Sequence, residues 1–264
     1  MTRTRILQVL NLVALVVTLI MNGISQSDLV PNTVGALGES RAIFFLPAGY
    51  VFAIWGVIYI GLIGFIIYQF RPVAVEKGVV DRVGIWFIVS SIANSVWVIL
   101  FVYNLIWIST VVIVVLLLSL LMIYRNLGIG VREIDWQERW AVHIPFSIYL
   151  GWVSVATVAN FSAALYTSGY EVSFLGINAD VWATIMMAVA AVLAFAMLYF
   201  RRDLAYALVV VWAVVGIYAR PFDTPVFEVV SSLNAGLVNT AALAVAVIVA
   251  VGVAGSAFMQ LQRR

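Results

Sequence analysis

Long apolar stretches alternate with short polar segments along the whole chain. A bilayer core about 30 Å thick requires roughly 20 consecutive apolar residues in a helix that crosses it. Runs of that order occur at positions 6–24, 48–70, 83–103, 105–124, 140–166, 181–200, 204–219 and 232–261. We interpret the break at Tyr103, Asn104 and Leu105 as a tight hairpin, because one straight span could not hold both neighbouring runs. The pattern predicts an all-α integral membrane protein with eight transmembrane helices.

Cationic residues collect on one side of this predicted topology. Of the 14 Lys and Arg residues, only Arg41 and Arg220 fall in loops on the opposite side, whereas the acidic residues divide evenly. Loops rich in Lys and Arg face the cytoplasm. The bias predicts a multi-pass protein of the plasma membrane with both termini in the cytoplasm. Arg263 and Arg264 at the C-terminus contribute to this bias. The composition agrees, with 65% hydrophobic and 10% charged residues.

The predicted helix interiors contain no Asp, Glu, Lys or Arg. Ion-coupled transporters and proton pumps usually carry such groups within their helices, so the pattern disfavours both classes. The single lysine, Lys77, lies in a loop, and the chain has no cysteine. The single histidine, His143, is interpreted as an interfacial residue rather than a ligand or a base. We predict no catalytic group, no metal site and no nucleic-acid partner.

Aromatic and amide side chains instead form a candidate site in the outer half of the predicted bundle. At a rise of 1.5 Å per residue, Trp55 lies roughly 10 Å from the outer helix ends, and Trp97 and Asn160 roughly 9 Å. Unpaired amides at such depths are costly, so each must bond a neighbouring helix or a ligand. The candidate ligand-binding residues are Trp55, Tyr59, Asn94, Trp97, Trp152 and Asn160. The alternative interpretation is packing, in which these groups only join helices.

Three sequence segments carry a family resemblance. The second helix reads PAGYVFAIW at 47–55, followed by Tyr59; the third reads NSVWVILF at 94–101; the fifth reads PFSIYLGWVSVATVAN at 145–160. Together they resemble the motifs of the TspO/MBR family, the tryptophan-rich sensory or translocator proteins. Tyr50 stands where the family has a tryptophan, and the inner proline of the second-helix motif is missing.

The resemblance covers about residues 1–166, which it implies to be a TspO-like five-helix unit, with residues 167–264 as three additional transmembrane helices. It implies a pocket for a porphyrin or a sterol-like apolar ligand, no required cofactor, and a possible homodimer. Residues 25–47, between the first two helices, could cover that pocket as a lid. Arg41 in this loop could pair with a propionate of the ligand, or it could be an ordinary solvated loop arginine.

The sequence therefore predicts a membrane ligand-binding or sensory protein whose partners are the lipid bilayer and a flat apolar ligand. The alternative is a transporter or permease for a neutral or amphipathic small solute, since eight helices exceed the five of the binding unit. Light-dependent porphyrin breakdown is associated with the family, but no arrangement of nucleophile and base supports an enzyme here. The sequence leaves enzymatic activity open and disfavours it.

Overall fold

A computed structural model of the protein describes residues 2–262. Arg263 and Arg264, which the sequence analysis placed on the cytoplasmic side, lie outside the described residues. The described chain is all-helical, with 77% of residues in helix. The α-helices are α1 (Arg3–Ile24), α2 (Val34–Glu39), α3 (Ile54–Gln69), α4 (Pro72–Glu76), α5 (Val79–Val83), α6 (Trp86–Val102), α7 (Ile106–Leu127), α8 (Trp136–Glu138), α9 (Ile144–Thr167), α10 (Ala179–Arg201), α11 (Leu204–Tyr218) and α12 (Ala235–Gln262).

Three shorter helical segments and one small hairpin complete the described structure. The 3₁₀ segment Gly49–Ala53 leads into α3, the π-helical segment Arg139–His143 joins α8 to α9, and the 3₁₀ segment Pro225–Val230 precedes α12. Strands β1 (Ser173–Phe174) and β2 (Ile177–Asn178) pair antiparallel between α9 and α10. Leu175 and Gly176 both have positive φ in the two-residue turn, which is the conformation that favours tight hairpins.

Six described helices are long and apolar enough to cross a membrane by length and composition. They are Arg3–Ile24, Gly49–Gln69, Ile106–Leu127, Trp136–Thr167, Ala179–Arg201 and Ala235–Gln262. Two further apolar helices, α6 and α11, have 17 and 15 residues. These helices give the protein an integral, multi-pass membrane architecture. The number of eight crossings stays a prediction.

Local sequence explains several helix boundaries. The predicted break after the third apolar run is confirmed: α6 ends at Val102, α7 begins at Ile106, and Asn104 between them has a φ of 61°. Asparagine tolerates this left-handed conformation better than most residues. Asp135 accepts a hydrogen bond from the backbone N–H of Glu138 at 2.8 Å, so it caps the N-terminus of the helix that continues into α9.

The chain divides into two compact units. The first comprises residues 1–34 and 53–153, and the second comprises residues 35–52 and 154–264. In the first unit α6 packs along both α1 and α7, and α3 packs against the π-helical segment. In the second unit α10, α11 and α12 pack against one another. The predicted division into residues 1–166 and 167–264 stays a prediction.

Polar side chains join helices inside the first unit. Gln8 on α1 donates to the backbone oxygen of Gln69 at 2.6 Å, and the Gln69 amide donates back to the Gln8 carbonyl at 3.1 Å. Asn11 donates to the Gln69 side-chain oxygen at 3.0 Å, and Thr18 donates to the carbonyl of Ser91 on α6 at 3.2 Å. Buried amides without partners are costly in apolar surroundings, so these reciprocal bonds fix α1 against α3 and α6.

Candidate ligand-binding site

Trp55 on α3 lies at the centre of a group of aromatic rings in the first unit, which we call the Trp55 cluster. Its ring centroid lies 5.6 Å from that of Tyr59, with the two rings stacked. The centroids of Trp97, Tyr149 and Trp152 lie 5.9, 6.0 and 6.3 Å from that of Trp55. Centroid separations of this size are favourable for aromatic pairs. Helices α3, α6 and α9 therefore present aromatic side chains to one another.

The Trp55 cluster has a buried part and a more accessible part. Trp97, Tyr149 and Trp152 are buried, whereas Trp55 and Tyr59 are half-buried. The accessible rings are thus held from behind by buried ones. A flat apolar molecule could stack against Trp55 and Tyr59 without displacing the buried rings.

A line of hydrogen bonds runs behind these rings. Asn22 on α1 donates its amide hydrogen to the side-chain oxygen of Asn94 at 2.7 Å. The Asn94 amide nitrogen in turn donates to the hydroxyl oxygen of Tyr149 at 3.1 Å. Asn94 is fully buried, with 0% of its surface exposed. The amide therefore joins three helices and orients Tyr149 within the Trp55 cluster.

The Tyr59 hydroxyl differs from the Asn94 amide in its hydrogen bonding. Its oxygen is buried, yet among residues 2–262 it has no hydrogen-bond partner. A buried hydroxyl without a partner is unfavourable, at a cost of about 1–3 kcal/mol. The Trp55 cluster thus contains one polar group that a hydrogen-bond acceptor on a ligand could satisfy.

Close packing below the cluster holds α3 and α9 together. A Cβ atom added to Gly61 on α3 would lie 2.9 Å from Cβ of Pro145, so the glycine permits this approach. The rings of Phe65, Phe87 and Phe146 then meet with centroids 5.1 to 6.1 Å apart. This aromatic layer is fully buried and gives the Trp55 cluster a rigid base.

Five of the six sequence-predicted site residues, namely Trp55, Tyr59, Asn94, Trp97 and Trp152, lie in the first unit. The four aromatic members form the Trp55 cluster with Tyr149, and Asn94 bonds to Tyr149. Asn160 belongs to the second unit; it lies further along α9 and is buried. Its role in the site stays a prediction.

Asn22 is a site residue that the sequence analysis missed. The available signal was the spacing of Gln8, Asn11, Thr18 and Asn22, which places four polar side chains along one face of an otherwise apolar helix. A polar stripe of this kind on a membrane helix marks the side that contacts other helices.

Arg41 and Arg220, the two arginines predicted to lie opposite the cationic loops, are both buried in the second unit. Arg41 is 5% exposed and Arg220 is 9% exposed. Burial lowers the pKa of Arg41, partly offset by nearby Tyr166. The interpretation of Arg41 as a solvated loop arginine is therefore wrong, because its side chain is enclosed by protein. Its pairing with a ligand propionate stays a prediction.

Arg220 binds the loop that contains Arg41. Its guanidinium donates to the carbonyls of Ile43 and Leu46 through Nη1 and to those of Gly38 and Arg41 through Nη2, at 3.0 to 3.2 Å. Burial lowers the pKa of Arg220 to about 10, so the group stays protonated at neutral pH. Four backbone acceptors thus share one buried positive charge.

Helix α11 adds further contacts to the same segment, at residues 48–51. The indole nitrogen of Trp212 donates to the carbonyl of Val51 at 3.0 Å, and the backbone N–H of Ala48 donates to the carbonyl of Gly216 at 2.9 Å. Tyr50, which stands where the family motif has tryptophan, packs edge-on against Trp212 with centroids 5.6 Å apart. The end of α11 therefore holds residues 48–51 within the second unit.

His143 lies at the other end of α9, in a group of charged residues. Its Nε2 atom is 3.8 Å from the carboxylate of Glu138, a side chain that is 1% exposed. Glu138 also pairs with Arg132, and Lys77 lies 3.6 Å from it. The sequence analysis counted these cations as loop charges; the structure shows a buried carboxylate that collects them.

The helices and the Trp55 cluster together define the class of protein. It is an all-helical, multi-pass membrane protein with a cluster of aromatic and amide side chains between the helices of its first unit. A sequence model of the family described as TSPO-like protein matches residues 8–255, and the chain belongs to this family. Searches of the curated proteins and of the solved structures give no match.

The family match confirms the resemblance found in the three motifs. It also continues past residue 166, where that resemblance ended, and includes α10, α11 and most of α12. The family match therefore includes most of the region that the motif resemblance did not cover.

Proposed function

We propose that this protein is a membrane ligand-binding protein of the TSPO type, which takes a flat apolar ligand, with a porphyrin as the first candidate. The observation that carries the proposal is the Trp55 cluster with the unpartnered Tyr59 hydroxyl. Apolar surroundings with a few placed polar groups are the usual composition of a small-molecule site.

The binding mode that we propose uses stacking and one directed hydrogen bond. The macrocycle lies against the half-buried rings of Trp55 and Tyr59, where each aromatic contact contributes about 0.5–1.5 kcal/mol beyond its burial. The Tyr59 hydroxyl donates to an acceptor at the ligand edge. Asn94, Trp97, Tyr149 and Trp152 keep the two accessible rings in place.

The membrane topology belongs to the same proposal: eight crossings, with both termini in the cytoplasm of a plasma-membrane protein. If α6 did not cross, the cationic loops before and after the α6–α7 hairpin would face opposite sides of the membrane. Positive charge is concentrated on the cytoplasmic side, so a full crossing by each helix of the hairpin fits better. The same argument applies to α11, between the arginines after α10 and the C-terminus.

The absence of native cysteine makes a direct topology test possible. Single cysteines at the exposed positions Glu76 and Glu133 should react with a membrane-impermeant maleimide only after cells are opened. Cysteines at the exposed positions Asp28 and Asp223 should react in intact cells. Labelling of all four sites from one side would contradict the eight-helix topology.

The ligand proposal is tested by titrating the detergent-solubilised protein with protoporphyrin IX and following tryptophan fluorescence. Saturable, stoichiometric quenching is expected, with affinity reduced several-fold by Trp97→Ala or Asn160→Ala. Tyr59→Phe removes only the hydroxyl and should weaken binding without loss of the fold. Trp140→Phe, at an exposed ring, is the matched control and should leave affinity unchanged.

One outcome would contradict the proposal directly. Linear quenching that is the same in the parent protein, in Trp97→Ala and in Tyr59→Phe would show that the porphyrin only enters the micelle. The Trp55 cluster would then serve helix packing alone.

A further inference from the structure

A cavity lies in the second unit and shares no residue with the Trp55 cluster. Its volume is about 330 Å³, which is within the range of small-ligand sites. Phe44 contributes from the segment between α2 and α3, and the remaining lining residues come from the connection between α11 and α12 and from the first residue of α12. The residues that matter for its chemistry are Phe44, Phe222, Asp223, Phe227 and Glu228.

Three phenylalanine rings form the apolar wall of this cavity. The centroids of Phe44 and Phe222 lie 5.3 Å apart, those of Phe44 and Phe227 lie 5.4 Å apart, and those of Phe222 and Phe227 lie 5.0 Å apart. Phe44 and Phe227 are buried, whereas Phe222 is half-buried and offers ring surface to an occupant.

Arg220 makes this wall rigid. Its guanidinium carbon lies 5.3 Å from the Phe227 ring centroid, on the ring face. The same guanidinium binds the carbonyls of Ile43 and Leu46, which flank Phe44 in the chain. The wall is therefore preorganised, which reduces the ordering cost of binding.

Two carboxylates line the same cavity. Asp223 and Glu228 are exposed, and among residues 2–262 neither takes part in an ion pair within 4.0 Å. The cation nearest in sequence, Arg220, donates to four backbone carbonyls instead. The cavity thus combines an aromatic wall with two negative charges that no cation of the described chain pairs with.

We propose that this cavity binds a small amphipathic organic cation, an ammonium group carried on an aromatic or other apolar body. The apolar body would lie against Phe222, which the buried rings of Phe44 and Phe227 hold in place, and the ammonium would face Asp223 and Glu228. Ammonium groups are attracted both by carboxylates and by the faces of aromatic rings. A metal ion fits less well, because two carboxylates supply few ligands and the remaining wall is largely apolar.

The test uses the full-length protein in nanodiscs of neutral lipid and 2-phenylethylammonium as the probe, with binding followed by isothermal calorimetry. Saturable binding is expected. The double variant Asp223→Asn, Glu228→Gln should weaken it at least tenfold. The double variant Asp28→Asn, Glu133→Gln removes two exposed carboxylates elsewhere and should leave the affinity unchanged.

Phe222→Leu separates the aromatic contribution from the charge, and a several-fold loss of affinity is expected from this variant with both carboxylates retained. The neutral analogue 2-phenylethanol should not bind measurably. Equal binding of the alcohol, or unchanged affinity in the Asp223→Asn, Glu228→Gln variant, would overturn the proposal in favour of partition into lipid. Displacement of the probe by millimolar Ca²⁺ together with unchanged affinity in Phe222→Leu would overturn it in favour of an inorganic cation site. Protoporphyrin titration of the same variants serves as the check that the rest of the protein is intact.

Discussion

Replacing Arg220 by methionine should release the segment between α2 and α3. The guanidinium makes four hydrogen bonds to backbone carbonyls at 3.0 to 3.2 Å. Hydrogen bonds from charged donors contribute about 1.5–3 kcal/mol each, but the cost of burying the charge offsets much of that sum. We expect a net loss of about 3 kcal/mol in the local opening free energy, with water reaching the vacated carbonyls.

Hydrogen exchange measures this opening directly. The backbone N–H groups of Ser40, Ile43 and Ala48 are hydrogen-bonded, so they report on the segment. A loss of about 3 kcal/mol should accelerate their exchange roughly 100-fold, since about 1.4 kcal/mol corresponds to a factor of ten. Arg220→Lys keeps the charge but has three donors for four acceptors, and roughly a tenfold acceleration is expected.

The reasoning would be refuted by a specific result. Exposed Arg3 provides the control, and Arg3→Met should not change exchange in this segment. If Arg220→Met accelerates exchange no more than Arg3→Met does, the four contacts do not hold the segment. Uniform acceleration in α7 and α12 as well would indicate global destabilisation instead.

Three further substitutions test other contacts. Asn94→Leu should lower the free energy of unfolding by about 1–2 kcal/mol in a denaturant titration, because it removes both hydrogen bonds of a fully buried side-chain amide. An unchanged free energy would show that these two hydrogen bonds are energetically neutral. Gly216→Ala should lower the thermal midpoint, since its Cβ would lie 2.2 Å from a Val51 methyl carbon, whereas Gly255→Ala, with open space around it, should not. Arg132→Met should lower the free energy of unfolding by about 3 kcal/mol, because the buried carboxylate of Glu138 loses one of its cationic partners. Adding Glu138→Gln removes that buried charge and should recover part of the lost stability. A double variant less stable than Arg132→Met would contradict this.

The attachment of the segment between α2 and α3 also gives α11 a structural role. Trp212 and Gly216 on α11, with Arg220 just beyond it, supply six hydrogen bonds to residues 38–51. From the sequence, α11 was expected only to be one of three additional transmembrane helices. Within the second unit, α11 and Arg220 support a segment that lies more than 150 positions earlier in the chain.

The amino-acid sequence alone was sufficient to predict the helical membrane architecture. Apolar length is a local property, so each long span could be located from its own residues, and the Asn104 turn was visible as a polar interruption. The estimated depths of Trp55 and Trp97 along their helices likewise placed these two side chains at one level, and their ring centroids lie 5.9 Å apart. Helix periodicity and depth are enough for such a prediction.

Only the tertiary structure decided which partners the polar groups have. Arg220 and Glu138 lie beside apolar runs, and in the sequence they are indistinguishable from solvated loop charges. Their burial depends on carbonyls and cations that lie far away in the sequence, such as those of Ile43 and Lys77. Asn22 is similar, because its role depends on the hydrogen bond that it donates to Asn94 on another helix. A buried polar group is stable only when its partners are in place, and that pairing is a property of the packed helices and not of any single segment.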